Sequence, residues 1–349
     1  MLFIANNKQR GLKSPSALNI QSGINKSAIN KSVVKTPPVK VMRPAENTLM
    51  IDFCDVQLGD TLLRDTHVGT ASRAVFTHYG FNRNPWNHQM QFKDHIVARD
   101  TFPEGSGFTA TYHFNIENST NYKKFRAVIE QGNLWKQITV NGKPIKPVAK
   151  AWWLDRSFAV LQIGDYLKAG NNILSVTVNP MRVYAEIEPV YILGDFNLQT
   201  ADKGWQIVPP KPLQPGSWKD QGMPLYGAGI SYVKKFNLDK TNERFELQLG
   251  EWKGTVAAVK INGKPAGIIF SGPNTLDVTK YMKKGNNLVE VKVIGSLKNL
   301  LGPHHNSPKP GMVGPHHWWN IKTYPPGKDY DTYDYGLMED FELLQYTNK

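Results

Sequence analysis

An internal repeat constrains this chain more than any other feature. Residues 107–116 read GFTATYHFNI and residues 229–238 read GISYVKKFNL. Further on, QITVNGKPI (137–145) matches AVKINGKPA (258–266), and IGDYLKAGNNILSVTV (163–178) matches LDVTKYMKKGNNLVEVKV (276–293). The order is the same in both copies, at a shift of about 115 to 122 residues that small loop indels accommodate. One supersecondary plan has been used twice.

Each piece of the plan reads as β-structure. Asn141-Gly142 and Asn262-Gly263 stand between apolar residues, the strongest short-range hairpin signal. In the two Gly-Asn-Asn turns, starting at Gly170 and Gly285, Gly and Asn tolerate positive φ and let the chain reverse into a strand. The following stretches, Ile173 to Val178 and Leu288 to Val293, alternate apolar and polar residues, as strands with one buried face do. No long segment of helical period competes. The expected fold is all-β: two tandem antiparallel β-sandwiches. Pro209, Pro210, Pro212 and Pro215 break any ladder between them. The expected boundaries are 46–198 for the first module and 199–349 for the second, whose closing strand includes Leu337 to Leu344.

Residues 1–45 carry eight Lys or Arg and no acid, so much of the formal charge of +13 lies there and the rest is only mildly basic. The segment is rich in Asn, Ser and Lys and reads as a flexible basic lead-in without its own core. It lacks the Arg bias of a transit peptide, and Met1 to Ala5 is too short for the hydrophobic region of a signal peptide. Beyond it no basic stripe suggests a nucleic-acid partner. No apolar run approaches the roughly 20 residues of a membrane span. Cys54 is the single cysteine, which excludes an intramolecular disulfide and a cysteine zinc site. A phosphate-cradling loop and a nucleophile elbow are also missing from the sequence.

The run YVKKF (232–236), FELQLG (245–250), VKINGK (259–264), Pro273, LDVT (276–279) and KGNN (284–287) resembles the sugar-binding sandwich of glycoside hydrolase family 2. It also resembles the sandwiches at the C-terminal end of bacterial family 106 rhamnosidase-like hydrolases. A looser version covers 107–178. The resemblance implies galactose-binding-like jelly rolls that accompany a glycoside hydrolase, and a periplasmic or extracellular setting. In the rhamnosidase-like proteins a large catalytic barrel precedes such modules, and ENTLMIDFC (46–54) resembles the junction. No stretch of this chain could form that barrel. The expectation is therefore a fragment or stand-alone accessory protein whose partners are a plant or bacterial glycan and a hydrolase catalytic domain. The competing expectations are a part of an active hydrolase that contributes to its active site, and a purely structural adhesion module.

Sugars present apolar C–H faces that stack on indole rings, while amides and carboxylates take their hydroxyls. Trp86, the pair Trp152-Trp153 with Asp155, and Trp318-Trp319 fall in expected loops and are candidate sugar contacts. Two Gly-Pro-His-His motifs place His304, His305, His316 and His317 within sixteen residues. Imidazole is a good transition-metal ligand. Adjacent histidines on extended chain point apart, however, so these four join the sugar-contact candidates and no metal ligand is assigned. Galactose-binding-like sandwiches often carry a structural calcium, but no Asp-rich loop with regular spacing locates one here. Glu186 and Glu188 lie two apart on an expected strand and so share one face, which is expected to be solvated. Glu130 and Glu251, just before Trp135 and Trp252, are expected to hydrogen-bond a nearby loop. No catalytic residue is assigned.

Overall fold

In the computed structural model, which describes residues 29–87, 93–305 and 321–348, the apolar/polar alternation of the repeat becomes two β-sandwiches with separate cores. The first packs a five-stranded sheet against an eight-stranded one. The five strands run Trp152–Trp153, Asp155–Gln162, Arg126–Glu130, Val190–Gly194 and Asn47–Ile51 in spatial order. The larger sheet is built around Phe108–Ile116 and Gly170–Val178, paired antiparallel along their full length. The second sandwich packs Ile29–Val33, Phe341–Asn348, Arg244–Leu249 and Thr275–Asp277 against Lys40–Met42, Gly229–Leu238, Gly285–Ile294, Val256–Ile261 and Lys264–Ile269. The fold is all-β, as expected.

The two Asn-Gly and Gly-Asn-Asn turns lock together in the same way in both sandwiches. Asn141 and Asn262 each have φ 51°, and Gly142 and Gly263 follow in the left-handed region, the geometry of a tight hairpin. Asn172 and Asn287 are fully buried. Asn172 Nδ2 donates to Lys168 O at 2.7 Å and Gly170 O at 2.9 Å, and its Oδ1 accepts from Lys168 N at 3.0 Å and Asn141 Nδ2 at 2.9 Å. Asn287 repeats the pattern with Lys283 O at 2.6 Å, Gly285 O at 3.0 Å, Lys283 N at 3.0 Å and Asn262 Nδ2 at 3.0 Å. A buried amide satisfied on both sides fixes where each turn enters its strand.

Three features depart from the sequence expectations. Within the lead-in, Ile29–Val33 pairs with Phe341–Asn348 and Lys40–Met42 pairs with Gly229–Leu238, so this part supplies edge strands to the second sandwich. Edge strands join through backbone groups and leave most side chains in solvent, which is why their polar composition concealed them. Secondly, Val68–His78 is an α-helix that buries Val68, Ala71, Val75 and Phe76 against the first core. Its apolar residues recur at helical spacing, but only over three turns. Thirdly, the expected closing strand is divided into Gly336–Leu337, which pairs with Trp252–Lys253, and Phe341–Asn348. Near the linker, the hairpin Asn197–Thr200 and Trp205–Val208 extends the larger sheet of the first sandwich through a parallel contact with Phe108–Ile116. No helix among the described residues is long and apolar enough to cross a membrane.

Candidate functional site

The antiparallel register of the five-stranded sheet brings chemically distinct residues to one end. Ile51 pairs with Val190, so Asp52, just past one strand, lies beside the segment 186–189 that enters its neighbour. Glu130 ends the next strand opposite Phe158. The helix Val68–His78, the segment 301–305 and Tyr330 close over this end. Three cavities result. Glu188 lines both the innermost and the middle one, and Gln131 lines both the middle one and an outer groove. Together they form a track along the sandwich end.

The innermost cavity, about 410 Å³, is lined by Asp52, His67, Asn84, Tyr191, His304 and His305 among others. Asp52 Oδ1 accepts from Tyr330 Oη at 2.7 Å, and Oδ2 faces His305 Nε2 at 2.7 Å and His67 Nε2 at 3.9 Å. Burial works to raise the pKa of Asp52, but the His305 hydrogen bond, the electrostatic pull of the two nearby imidazoles and the Tyr330 hydrogen bond outweigh it and hold the carboxyl below its usual range. Burial pushes His67 and His304 down to about 4, so both rings are neutral near pH 7. His304 turns away, with Nε2 at 2.9 Å from Asn299 O. The adjacent histidines thus point to different partners.

Asp52, His67 and His305 place one ligand atom each within 4.8 Å of one another, tight enough for an ion. His67 Nδ1 accepts the Gly69 amide at 3.2 Å, which leaves the proton of the neutral ring on Nε2, the atom facing Asp52. The arrangement fits an aspartate anion ringed by donors better than an open metal site.

The middle cavity is about 220 Å³ and lined by Trp86, Lys93, Glu130, Gln131, Tyr184, Glu186 and Glu188. Trp86 stacks on Tyr184 at 5.2 Å and 18°, and its Nε1 donates to Val183 O at 2.6 Å. Asn84 fixes this corner: its Oδ1 accepts from Trp86 N at 3.0 Å and its Nδ2 donates to Glu186 Oε1 at 2.6 Å. Tyr112 crosses the core and donates to Glu188 O at 2.7 Å, which sets the height of the 186–188 segment. Glu188 is half-buried on the cavity wall, and among the described residues no hydrogen bond or ion pair reaches its carboxyl. Burial, then the charges of Glu186 and Glu130, raises its pKa well above the carboxylate range. Glu186 is raised by burial against the pull of Asn84, and Glu130 by burial and the charge of Asp155.

The expected solvated face of Glu186 and Glu188 is therefore corrected. The two residues do share a face, but they lie on irregular chain and the face turns into a cavity. Glu130 does hydrogen-bond the following loop, but through its backbone. Its backbone carbonyl, not its carboxylate, accepts from Trp135 Nε1 at 3.0 Å, leaving the side chain in the cavity. Glu251 likewise uses its carbonyl, for Met338 N and Glu339 N.

The outer groove, about 1030 Å³, lies between the segments 131–138, 144–152 and 156–159. Trp152 is 56 % exposed on its wall. Trp153 turns the other way and packs on Phe158 and on Tyr191 at 5.3 Å, both of which line the innermost cavity. Asp155 builds a turn: its Oδ1 accepts from Ser157 N at 2.8 Å and Ser157 Oγ at 2.7 Å, bonds that hold its pKa down. Trp86, Trp152, His304 and His305 thus fall along one track, Trp153 packs behind its wall, and Asp155 lies in the loop beside it. His316, His317, Trp318 and Trp319 lie outside the described residues. The sequence reading missed Asp52, His67, Asn84 and Tyr184.

No family model matches the chain. A curated relative, named as a putative beta-glucuronidase of Formosa agariphila, is 37% identical over 144 residues, which are 39% of this chain and 12% of the relative. Similar solved structures include a rhamnosidase from Novosphingobium sp. PP1Y (TM-score 0.29, 18% identity, 70% of this chain and 23% of that one). A beta-D-mannosidase from Dictyoglomus thermophilum gives a TM-score of 0.31 at 12% identity, over 71% of this chain and 31% of that one. A beta-glucuronidase from Bifidobacterium dentium, complexed with coumarin-3-O-glucuronide, gives 0.26 at 17% identity, over 44% and 29%. The relatives carry glycoside hydrolase names, and this chain spans under a third of each of these four.

Proposed function

We propose that this chain is a non-catalytic pair of galactose-binding-like sandwiches belonging to a glycoside hydrolase, and that the track at the end of the first sandwich engages the glycan. The observation that carries this reading is the middle cavity, where the Trp86–Tyr184 stack stands beside three carboxyls. An aromatic platform with polar groups at its rim is the chemistry that sugar faces and hydroxyls require. A raised pKa favours the protonated form, in which a carboxyl can donate as well as accept hydrogen bonds, as sugar hydroxyls do. The partners are a plant or bacterial glycan and the hydrolase catalytic domain, outside the cytoplasm. The test is a glycan-array screen of the full chain, with calcium and with chelator, repeated on Trp86→Ala. A sugar-specific signal that Trp86→Ala abolishes supports the reading, and silence toward every glycan overturns it.

A second reading follows from Glu188. A carboxyl whose pKa burial raises is what a glycosidase acid needs, and Glu130 and Glu186 supply further carboxyls across the same cavity. In that case the chain hydrolyses an aryl glycoside, alone or with its catalytic partner, and Glu188→Gln removes the activity. Sugar binding without turnover by either form discards it.

A further inference from the structure

We infer that the glycan is anionic: the outer groove takes the carboxylate- or sulfate-bearing residues of an acidic oligosaccharide. The inference rests on the proposed sugar-binding reading and names the ligand class of the same track. Four cationic side chains, Lys136, Lys146, Lys150 and Arg156, line the groove, and no Asp or Glu does. All four are exposed. Lys136 pairs with Glu104 at 3.8 Å, and Asp155, whose Oδ1 is taken by Ser157, also feels the charge of Arg156. The exposed Trp152 supplies a stacking face within the same walls.

The backbone supports a built surface. Gln131, Lys150 and Leu154, in or beside the groove walls, have φ of 50°, 60° and 60°. Left-handed backbone costs energy in residues other than glycine, so these turns are held in one shape by their surroundings. Pro144 and Pro147 stiffen the same wall. The track therefore changes character along its length, from a cationic groove with an open indole to a cavity of carboxyls. An acidic oligosaccharide satisfies both ends when its charged residues lie in the groove and its neutral hydroxyls reach Glu188. A nucleic acid would carry phosphates along the whole track, and the middle cavity offers them three carboxyls and one cation, Lys93.

The test measures binding of the full chain to one oligosaccharide backbone in neutral, uronate-bearing and sulfated forms, and to a single-stranded oligonucleotide. The acidic forms are expected to bind about tenfold or more tightly than the neutral form, with the preference weakening as salt rises. Comparison of the uronate and the sulfated form identifies the anion. The double variant Lys146→Glu/Arg156→Glu, at two exposed positions, is expected to erase the preference of the acidic forms over the neutral one. Neutral and acidic forms binding equally, with both lost in Trp86→Ala, overturn the anionic inference and leave the sugar-binding reading standing. An oligonucleotide that binds as tightly as the acidic sugar also overturns it. Absence of binding by every form overturns both.

Discussion

The two sandwiches share a turn chemistry and differ in what they build on it. In the first, the strand Gln137–Val140 is followed after its Asn-Gly turn by a partner of two residues, Lys143–Pro144. In the second, Val256–Ile261 is answered by six residues, Lys264–Ile269. Both partners begin Lys-Pro, yet the second stays paired past a bulge that shifts its register, while the first leaves the sheet before Pro147 and becomes the wall of the groove. A second contrast lies at one inward position of the repeat. In the first sandwich it is Tyr112, which ties down the Glu188 carbonyl; in the second it is Lys234, whose Nζ donates to Phe341 O at 2.8 Å and pairs with Asp340 at 2.5 Å. The same reach across the core positions a carboxyl cluster in one case and closes a sheet in the other.

The largest expected effect is at Lys234, whose side chain is fully buried. Lys234→Ala leaves a cavity and an unpaired carbonyl and costs about 3–5 kcal/mol, read by urea unfolding. Binding at the first sandwich stays intact in the folded fraction; a loss of binding there would break the proposed separation of roles. Next are Asn172→Ala and Asn287→Ala, which each remove four hydrogen bonds in a buried turn and cost about 2–3 kcal/mol. Equal costs are expected, and clearly unequal ones would show that the shared network is not a shared source of stability.

Acidification should separate the sandwiches. The folded pKa values of His67 and His304 are depressed to about 4 from 6.5, so the unfolded chain binds more protons between those values. Stability from these rings is present above about pH 6.5 and is lost as pH falls toward about 4. Glu130, Glu186 and Glu188 act oppositely, because raised folded values favour the folded state as pH drops. At about pH 5 the histidines cost on the order of 1–2 kcal/mol each, partly offset by the glutamates. Urea unfolding at neutral pH and at about pH 5 should show the first sandwich weakening and the second unchanged. The smallest expected effect is Tyr112→Phe, about 1–2 kcal/mol from the orphaned Glu188 carbonyl. It should also weaken glycan binding several-fold, since Glu188 is then free to shift.

The strands and turns were legible because their signals are local. Alternation has a period of two, and Asn-Gly names its own turn, so the residues around Asn141, Gly170, Asn262 and Gly285 declared the architecture. The site was legible only in part. Trp86, Trp152 and His305 could be nominated as residue types, but whether Glu188 is solvated depends on what covers it. Its surroundings come from residues as distant in the chain as Trp86 and His305. Asp52 carries no local sign that His305 and Tyr330 will close on it. The edge strands at 29–42 were concealed for another reason: they contribute backbone ladders, which composition does not record.

The central claim is that sugar engagement belongs to the first sandwich alone. It is tested most directly by titrating the best array glycan into the full chain, into Trp86→Ala and into Phe270→Ala, a 68 % exposed aromatic of the second sandwich. The expected result is binding that Trp86→Ala abolishes and Phe270→Ala leaves unchanged. Binding that survives Trp86→Ala and falls with Phe270→Ala would contradict it.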